Sequence, residues 1–435
     1  MSNQVFVLGA GMTGLAAGFA SGLPVFEAAA EPGGICSSYY MQPGRSQRLS
    51  KVPKDGEAYR FEIGGGHWIF GGNSSILHFL KRFVALKEYH RRSAIYLKGQ
   101  DLFVPYPIQN HLSYLDKKIA TQALVEMNSQ EGSNQTMKQW LKKSFGESLC
   151  GLFFYPFHDF YTAGLFDRIA PQDAYKSPVD LNAAIQGALS GTQPVGYNAT
   201  FVYPQEGLNV LAQRIGDSAD IRFDKRINKI DLKGRQLFFE DGTTQSYDKL
   251  ISTLPLNEVL QMSGLAAGNK SDPYTSVLVL NIGALRADRC PDDHWIYIPE
   301  SSSGFHRVGF YSNVDREFLP ASSHKDGKRV GIYVERAFPG GRRPSAQQSK
   351  QYAEDVVEEL QDWGFIADPE VIDSTWLEVA YTWSWPGSTW KSVAIEKLND
   401  ANVFQVGRYA GWRFQGIAAS IRDGLLMGSA LKAIV

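Results

Sequence analysis

The stretch FEIGGGHWIF, residues 61–70, places three glycines directly ahead of a histidine and a tryptophan. Glycine has no Cβ, so such a run lets backbone lie close to a flat or charged group. His67, directly behind the run, is a candidate functional residue beside whatever that backbone approaches. Its plainer alternative is a satisfied core histidine. A second set, Gly9, Gly11 and Gly14, has the spacing G-x-G-x-x-G directly after the apolar run VFVL. That pattern is weak by itself, but its setting suits pyrophosphate binding. The first glycine allows the tight turn, the second lets phosphate reach backbone N–H groups, and the third permits close helix–strand packing. Glu27 follows eighteen residues after Gly9, where a carboxylate can accept both ribose hydroxyls. An acid there argues for an unphosphorylated ribose. The pair Gly33 and Gly34 just beyond suits FAD, whose longer chain needs further backbone, better than NAD. The bland alternative is a dinucleotide-type turn with no ligand.

These residues need a particular frame. QVFVLGAGMTGLAAGFASGLPVFEAA reads as strand, glycine turn, helix and strand. Residues 219–255 alternate with period two between turn signals, a meander ending in the buried strand KLIST. Residues 274–335 are again strand-rich. In QQSKQYAEDVVEELQDWG, Tyr352, Val356, Val357 and Leu360 share one helical face. A last strand, NVFQVGR, and a last helix resume the opening pattern. The expected fold is α/β. A Rossmann-type FAD domain is assembled from 1–75, 196–265 and 395–435. A helical lobe takes 108–195, and a mixed-sheet substrate domain takes 76–107 with 266–394.

Composition narrows the classes. A chain of 435 residues exceeds one ordinary core, so two or three domains are expected. Lys+Arg (44) nearly cancels Asp+Glu (45), which gives no global field for nucleic acid or an anionic membrane. Cys36, Cys150 and Cys290 are too scattered for a disulfide framework or a zinc site, so no metal is expected. No signal-type leader and no apolar run of about 18 residues is present, so no membrane partner is expected and a cytoplasmic location is the default.

Four stretches in order resemble one family: GAGMTG…EAAAEPGG, FEIGGGHWIF, VPYPIQNHL and GYNATFVYPQEGLNVL followed by DKLISTLPL. They are similar to the flavin-dependent UDP-galactopyranose mutases, the eukaryotic type in particular. HWIYIPESSSGFHRVGFYSN and GRYAGWRF extend the likeness over most of the chain. The glycine-rich parts are shared with amine oxidases, protoporphyrinogen oxidases and carotene desaturases. The resemblance implies FAD, active when reduced, with NAD(P)H a possible reductant. It implies a redox-neutral pyranose–furanose interconversion of a nucleotide-diphosphate sugar through a flavin N5–sugar adduct. Gly65, Gly66 and His67 then lie against the flavin. Arg307 and Arg408 clamp the diphosphate, with bidentate forks suited to phosphate. Each could instead be a surface or ion-paired arginine. Asn198 sits near the diphosphate, Tyr106 and Gln109 bind the uridine end, and Tyr297 and Trp385 lie on the nucleotide side. For the two tyrosines core packing is the competing reading.

The departures matter as well. Val314, Phe414 and Trp385 stand where the family has tyrosines, and only Lys176 is near the place of an upstream arginine. The last helix opens GIAASI without the usual acid. A substrate other than UDP-galactose would account for this. An FAD-dependent amine oxidase or dehydrogenase is the alternative, kept open by Trp376, Trp383, Trp385 and Trp390. A non-catalytic flavoprotein is the third reading. An aromatic, uncharged cage would favour the oxidase, and two or more arginines the mutase.

Overall fold

Val5–Leu8 is a strand of four buried apolar residues, and it lies at the centre of a five-stranded parallel sheet. In the computed structural model, which describes residues 4–129, 134–172, 180–190, 199–265 and 270–432, the strand order is Ile221–Arg222, Val25–Phe26, Val5–Leu8, Lys249–Ser252 and Val403–Gln405. Val5 pairs with Lys249 and Ser252 with Gln405, so three distant stretches of chain build one sheet. A strand buried on both faces reads as a continuous apolar run, as VFVL does.

Helix Met12–Ser21 leaves the first strand and ends at Gly22, whose φ of 72° gives a left-handed cap that donates to Gly18 O. Helix Ile417–Lys432 packs along it. The approach depends on Gly424 and Gly428. A Cβ on them would sit 2.2 Å from Thr13 O and 2.4 Å from Ala17 O. The last helix is thereby seated on the first.

A seven-stranded mixed sheet stands beside this unit in the order Ile366–Thr382, Tyr274–Arg286, Arg329–Pro339, Arg307–Phe310, Trp295–Tyr297, Ser93–Leu97 and Leu102–Pro105. All pairs are antiparallel except Trp295–Tyr297 with Ser93–Leu97. Helix Ala346–Asp362 buries Tyr352, Val356, Val357 and Leu360 against it, the face that its spacing predicts. The helical lobe contains Lys117–Ser129, Met137–Leu149, Tyr155–Tyr161 and Leu181–Leu189 around Leu141, Phe145, Phe153 and Phe154. The architecture is therefore α/β, with a discontinuous parallel sheet, a helical lobe and a mixed sheet. One strand departs from the expected grouping. Leu86–His90, expected with the mixed sheet, pairs instead with Thr200–Pro204 in a small sheet that also holds Ile69–Phe70.

Among the described residues no helix is long and apolar enough to cross a membrane. Nor do any three His, Cys, Asp or Glu side chains gather as a metal site among them. Cys36, Cys150 and Cys290 are buried free thiols.

Candidate active site

The glycine turn after Val5–Leu8 opens a cavity of about 690 Å³ that runs between the parallel sheet, the mixed sheet and the helical lobe. Gly9 has φ +89°, a backbone that favours glycine. A Cβ on Gly14 would lie 1.8 Å from Gly9 O, so its role is packing, and it stands off the cavity wall. Gly11 is the reverse case. A Cβ there would meet nothing within 4 Å, and the residue lines the cavity at the start of a helix with no side-chain cap. Among the described residues no side chain caps this helix start, and Gly11 borders open space there, which suits a pyrophosphate. Gly33, at φ +114°, bridges to Gly11 and donates to Ala10 O at 2.8 Å, holding the second glycine pair on the same wall.

Glu27 accepts from Ala10 N at 2.6 Å through Oε2 and from Ala29 N at 2.8 Å through Oε1. Each oxygen keeps a lone pair for a further donor, so the fixed carboxylate fits two ribose hydroxyls. At the other side Gly416–Ser420 bring the start of the last helix onto the wall, and its first turn holds no acidic residue. An acid-free helix start suits an electron-rich ring edge. Gly11, Gly33, Gly34, Glu27 and Gly416–Ser420 together fit FAD.

The 64–67 loop has a more varied purpose than its composition suggests. A Cβ on Gly66 would fall 2.1 Å from the Tyr333 hydroxyl, and one on Gly65 would fall 2.8 Å from Glu335 Oε1. These two glycines make room for the protein's own side chains. Gly66 also lines the cavity, whereas Gly65, expected to contact the cofactor, faces Glu335 and is not on the wall. His67 is on the wall, and its Nδ1 is buried with no partner among the described residues. Burial first, and then the charge of Arg408, push its pKa down to about 4. The ring is neutral at physiological pH.

Arg307, Arg408 and Arg91 all reach the cavity. Arg307 Nη2 meets both Glu335 oxygens at 2.5 Å. Glu335 is 2% exposed, and Arg307 holds its carboxyl down at about 2 against the effect of burial. The Arg307 Nε remains buried with no partner among the described residues. Arg408 donates to Ala380 O at 2.9 Å and Gln415 O at 3.3 Å, and its guanidinium lies 4.7 Å from the Phe414 ring. Arg91 donates to Tyr106 O at 3.3 Å. Tyr106 and Tyr297 pack with ring centres 4.6 Å apart. Phe153, Phe154, Phe157, Tyr161, Tyr381 and Trp383 complete an aromatic wall. Cys36 is on the wall too, but burial pushes its thiol up to about 12, so it is no nucleophile at neutral pH.

A match to the family described as flavin containing amine oxidoreductase spans residues 23–426. The chain belongs to that family. Solved structures of this flavoprotein fold cover the chain end to end. A reduced UDP-galactopyranose mutase has TM-score 0.85 at 21% identity, with 100% of this chain and 96% of that one covered. A putative protoporphyrinogen oxidase from Exiguobacterium sp. 255-15 has TM-score 0.69 at 13% identity, with 100% of both chains covered. A putrescine oxidase double mutant has TM-score 0.58 at 14% identity, with 99% of each chain covered. Identities this low establish a shared fold and leave the reaction to the site.

Several expected site residues of this family member lie elsewhere. Trp385 is off the cavity wall, because its indole N–H donates to Ser271 O at 2.9 Å and Lys270 Nζ sits 4.1 Å from its ring. Gln109 is fully buried in a short 3-10 turn, also off the wall. Val314 is buried at the end of Tyr311–Val314 and does not line the cavity. Asn198 and Lys176 lie outside the described residues. Conversely, Arg91, His306, Tyr333 and Glu335 are on the wall without having been singled out. Only Glu335 left a trace, as a lone acid in the apolar strand RVGIYVER.

Proposed function

We propose that this flavoprotein takes a phosphate-bearing substrate, and that a nucleoside-diphosphate sugar is the reading the site supports best. The observation that carries it is the meeting of Arg91, Arg307 and Arg408 on one largely aromatic wall. Four acids share the wall: Glu27 after the second parallel strand, Glu258 on helix Leu256–Ser263, and Glu335 and Glu378 on strands of the mixed sheet, Glu335 being the one paired with Arg307. Arginine is the side chain suited to a diphosphate leaving group, because it stays charged and binds phosphate oxygens in pairs. Arg307 and Arg408 would hold the diphosphate. Tyr106 and Tyr297 offer an aromatic face to a base. His67, neutral and unprotonated at one nitrogen, can hold a proton from the reacting group. The surrounding rings exclude water. When bound, reduced FAD would supply a nucleophilic nitrogen for a redox-neutral ring contraction.

A second reading is oxidation of an amine. The family description backs oxidoreductase chemistry more directly than sugar isomerisation. The Glu335 carboxylate, which neutralises Arg307, and the aromatic wall favour it within the site. One experiment separates the two. The purified yellow protein is mixed with UDP-, GDP- and dTDP-sugars, with and without dithionite, and separately with a panel of amines. Isomerisation at equal mass under reducing conditions only supports the first reading. Amine-dependent bleaching of oxidised flavin with no isomerisation refutes it in favour of the second.

A further inference from the structure

His306 precedes the strand Arg307–Phe310 and is 1% exposed. Its ring lines the cavity between Phe157 and Tyr161, whose centroids lie 6.1 and 5.4 Å away. Nε2 stands 3.6 Å from Glu335 Oε2. His306 N also donates to Glu335 O at 3.0 Å, so the two residues are fixed to each other through the backbone. Neither ring nitrogen has a hydrogen-bond partner among the described residues. Nε2 faces Glu335, so Nδ1 is the nitrogen left without any partner among the described residues, a buried polar atom on a residue of the cavity wall that a ligand would satisfy.

The proton's place follows from electrostatics. Glu335 is ionised, because Arg307 Nη2 meets both of its oxygens. A bare lone pair on Nε2 would face that negative charge, whereas an N–H dipole is attracted to it. The proton therefore belongs on Nε2, and Nδ1 is left as an acceptor. Burial, the largest influence, and the nearby Arg307 oppose a second proton, while Glu335 favours one; the net direction is downward. The ring is neutral, so it can accept.

We propose that His306 is a substrate-contacting residue: Glu335 fixes its proton on Nε2, and Nδ1 accepts a hydrogen bond from a sugar hydroxyl. This rests on the nucleoside-diphosphate sugar reading above, and it adds a residue that tells the sugar from the bare nucleotide. Arg307 and His306 are then two contacts organised by one carboxylate, the first toward the diphosphate and the second toward the sugar.

The test uses the holoprotein labelled with 15N-histidine, with UDP and UDP-galactose as probes. The expected spectrum shows His306 protonated at Nε2 and bare at Nδ1. UDP-galactose should move the Nδ1 resonance to the hydrogen-bonded range, and UDP should leave it in place. His306→Phe should weaken UDP-galactose binding roughly tenfold with UDP affinity unchanged. His306→Asn, which keeps an acceptor near the Nδ1 position, should recover most of that loss. A ligand that binds and leaves Nδ1 unmoved, a proton found on Nδ1, or equal weakening of both probes refutes the inference alone. If neither probe alters the flavin spectrum, the nucleotide-sugar reading has failed and the inference falls with it.

Discussion

Glu335→Gln is the most informative single change. It keeps the shape of the side chain and removes the charge that Arg307 meets with both of its oxygens at 2.5 Å. Glu335 is 2% exposed and its pKa is held down at about 2, against 4.5 for an ordinary glutamate. That difference corresponds to about 3 kcal/mol of stability at neutral pH, within the range for breaking one side of a buried ion pair. The sign follows from the depressed pKa. The contribution is fully present above about pH 4.5 and is lost as pH falls toward 2. Urea unfolding of both proteins, each loaded with flavin, should therefore show the variant less stable by about 3 kcal/mol at pH 7. The gap should narrow as the pH drops from 5 toward 3. An unchanged midpoint at pH 7, or a gap that widens in acid, would refute the assigned pairing.

Other outcomes follow from the same geometry. Gly14→Ala should yield a protein of low stability with little bound flavin, because its Cβ meets Gly9 O, whereas Gly11→Ala should fold normally and lose flavin only. The ratio of 450 to 280 nm absorbance, beside the melting temperature of the apoproteins, separates the two; equal apoprotein melting temperatures would sink the distinction. Wild-type stability should fall by about 3 kcal/mol as pH drops from 6.5 toward 4 through His67 alone, since its folded pKa lies near 4. His67→Asn should flatten that part of the curve, and parallel curves would exclude the assignment. Arg408→Lys should weaken UDP binding by about 2 kcal/mol, roughly thirtyfold. Calorimetry that finds equal affinity would remove Arg408 from the diphosphate site.

The glycine-turn end of the cavity was legible from sequence because its signals are local. Gly9, Gly11 and Gly14 lie in one turn, and Glu27 closes the next strand. The parallel sheet, the amphipathic helix Ala346–Asp362 and the final strand and helix follow from period and order alone. The substrate end is different, because register places its residues. Arg307 meets Glu335 only because their two strands pair antiparallel at that point, and no spacing in the sequence encodes that. The same holds for His306 beside Glu335. The GGGH run shows how composition misleads in detail. Its glycines point to a flat neighbour, but two of them yield to Tyr333 and Glu335 from a strand some 270 residues away. Trp385 is drawn aside by Ser271, a partner that spacing does not reveal.

The seating of the last helix on the first has a consequence for biosynthesis. A ribosome adds about 5–20 residues per second, so on the order of 20 to 80 seconds separates the emergence of Met12–Ser21 from that of Ile417–Lys432. During that interval the first strand has no Val403–Gln405 edge beyond Lys249–Ser252, and the groove that receives Gly424 and Gly428 stays exposed. Cofactor capture is then a late event, and the apolar N-terminal strand–helix pair must be kept from aggregating until the end of the chain arrives.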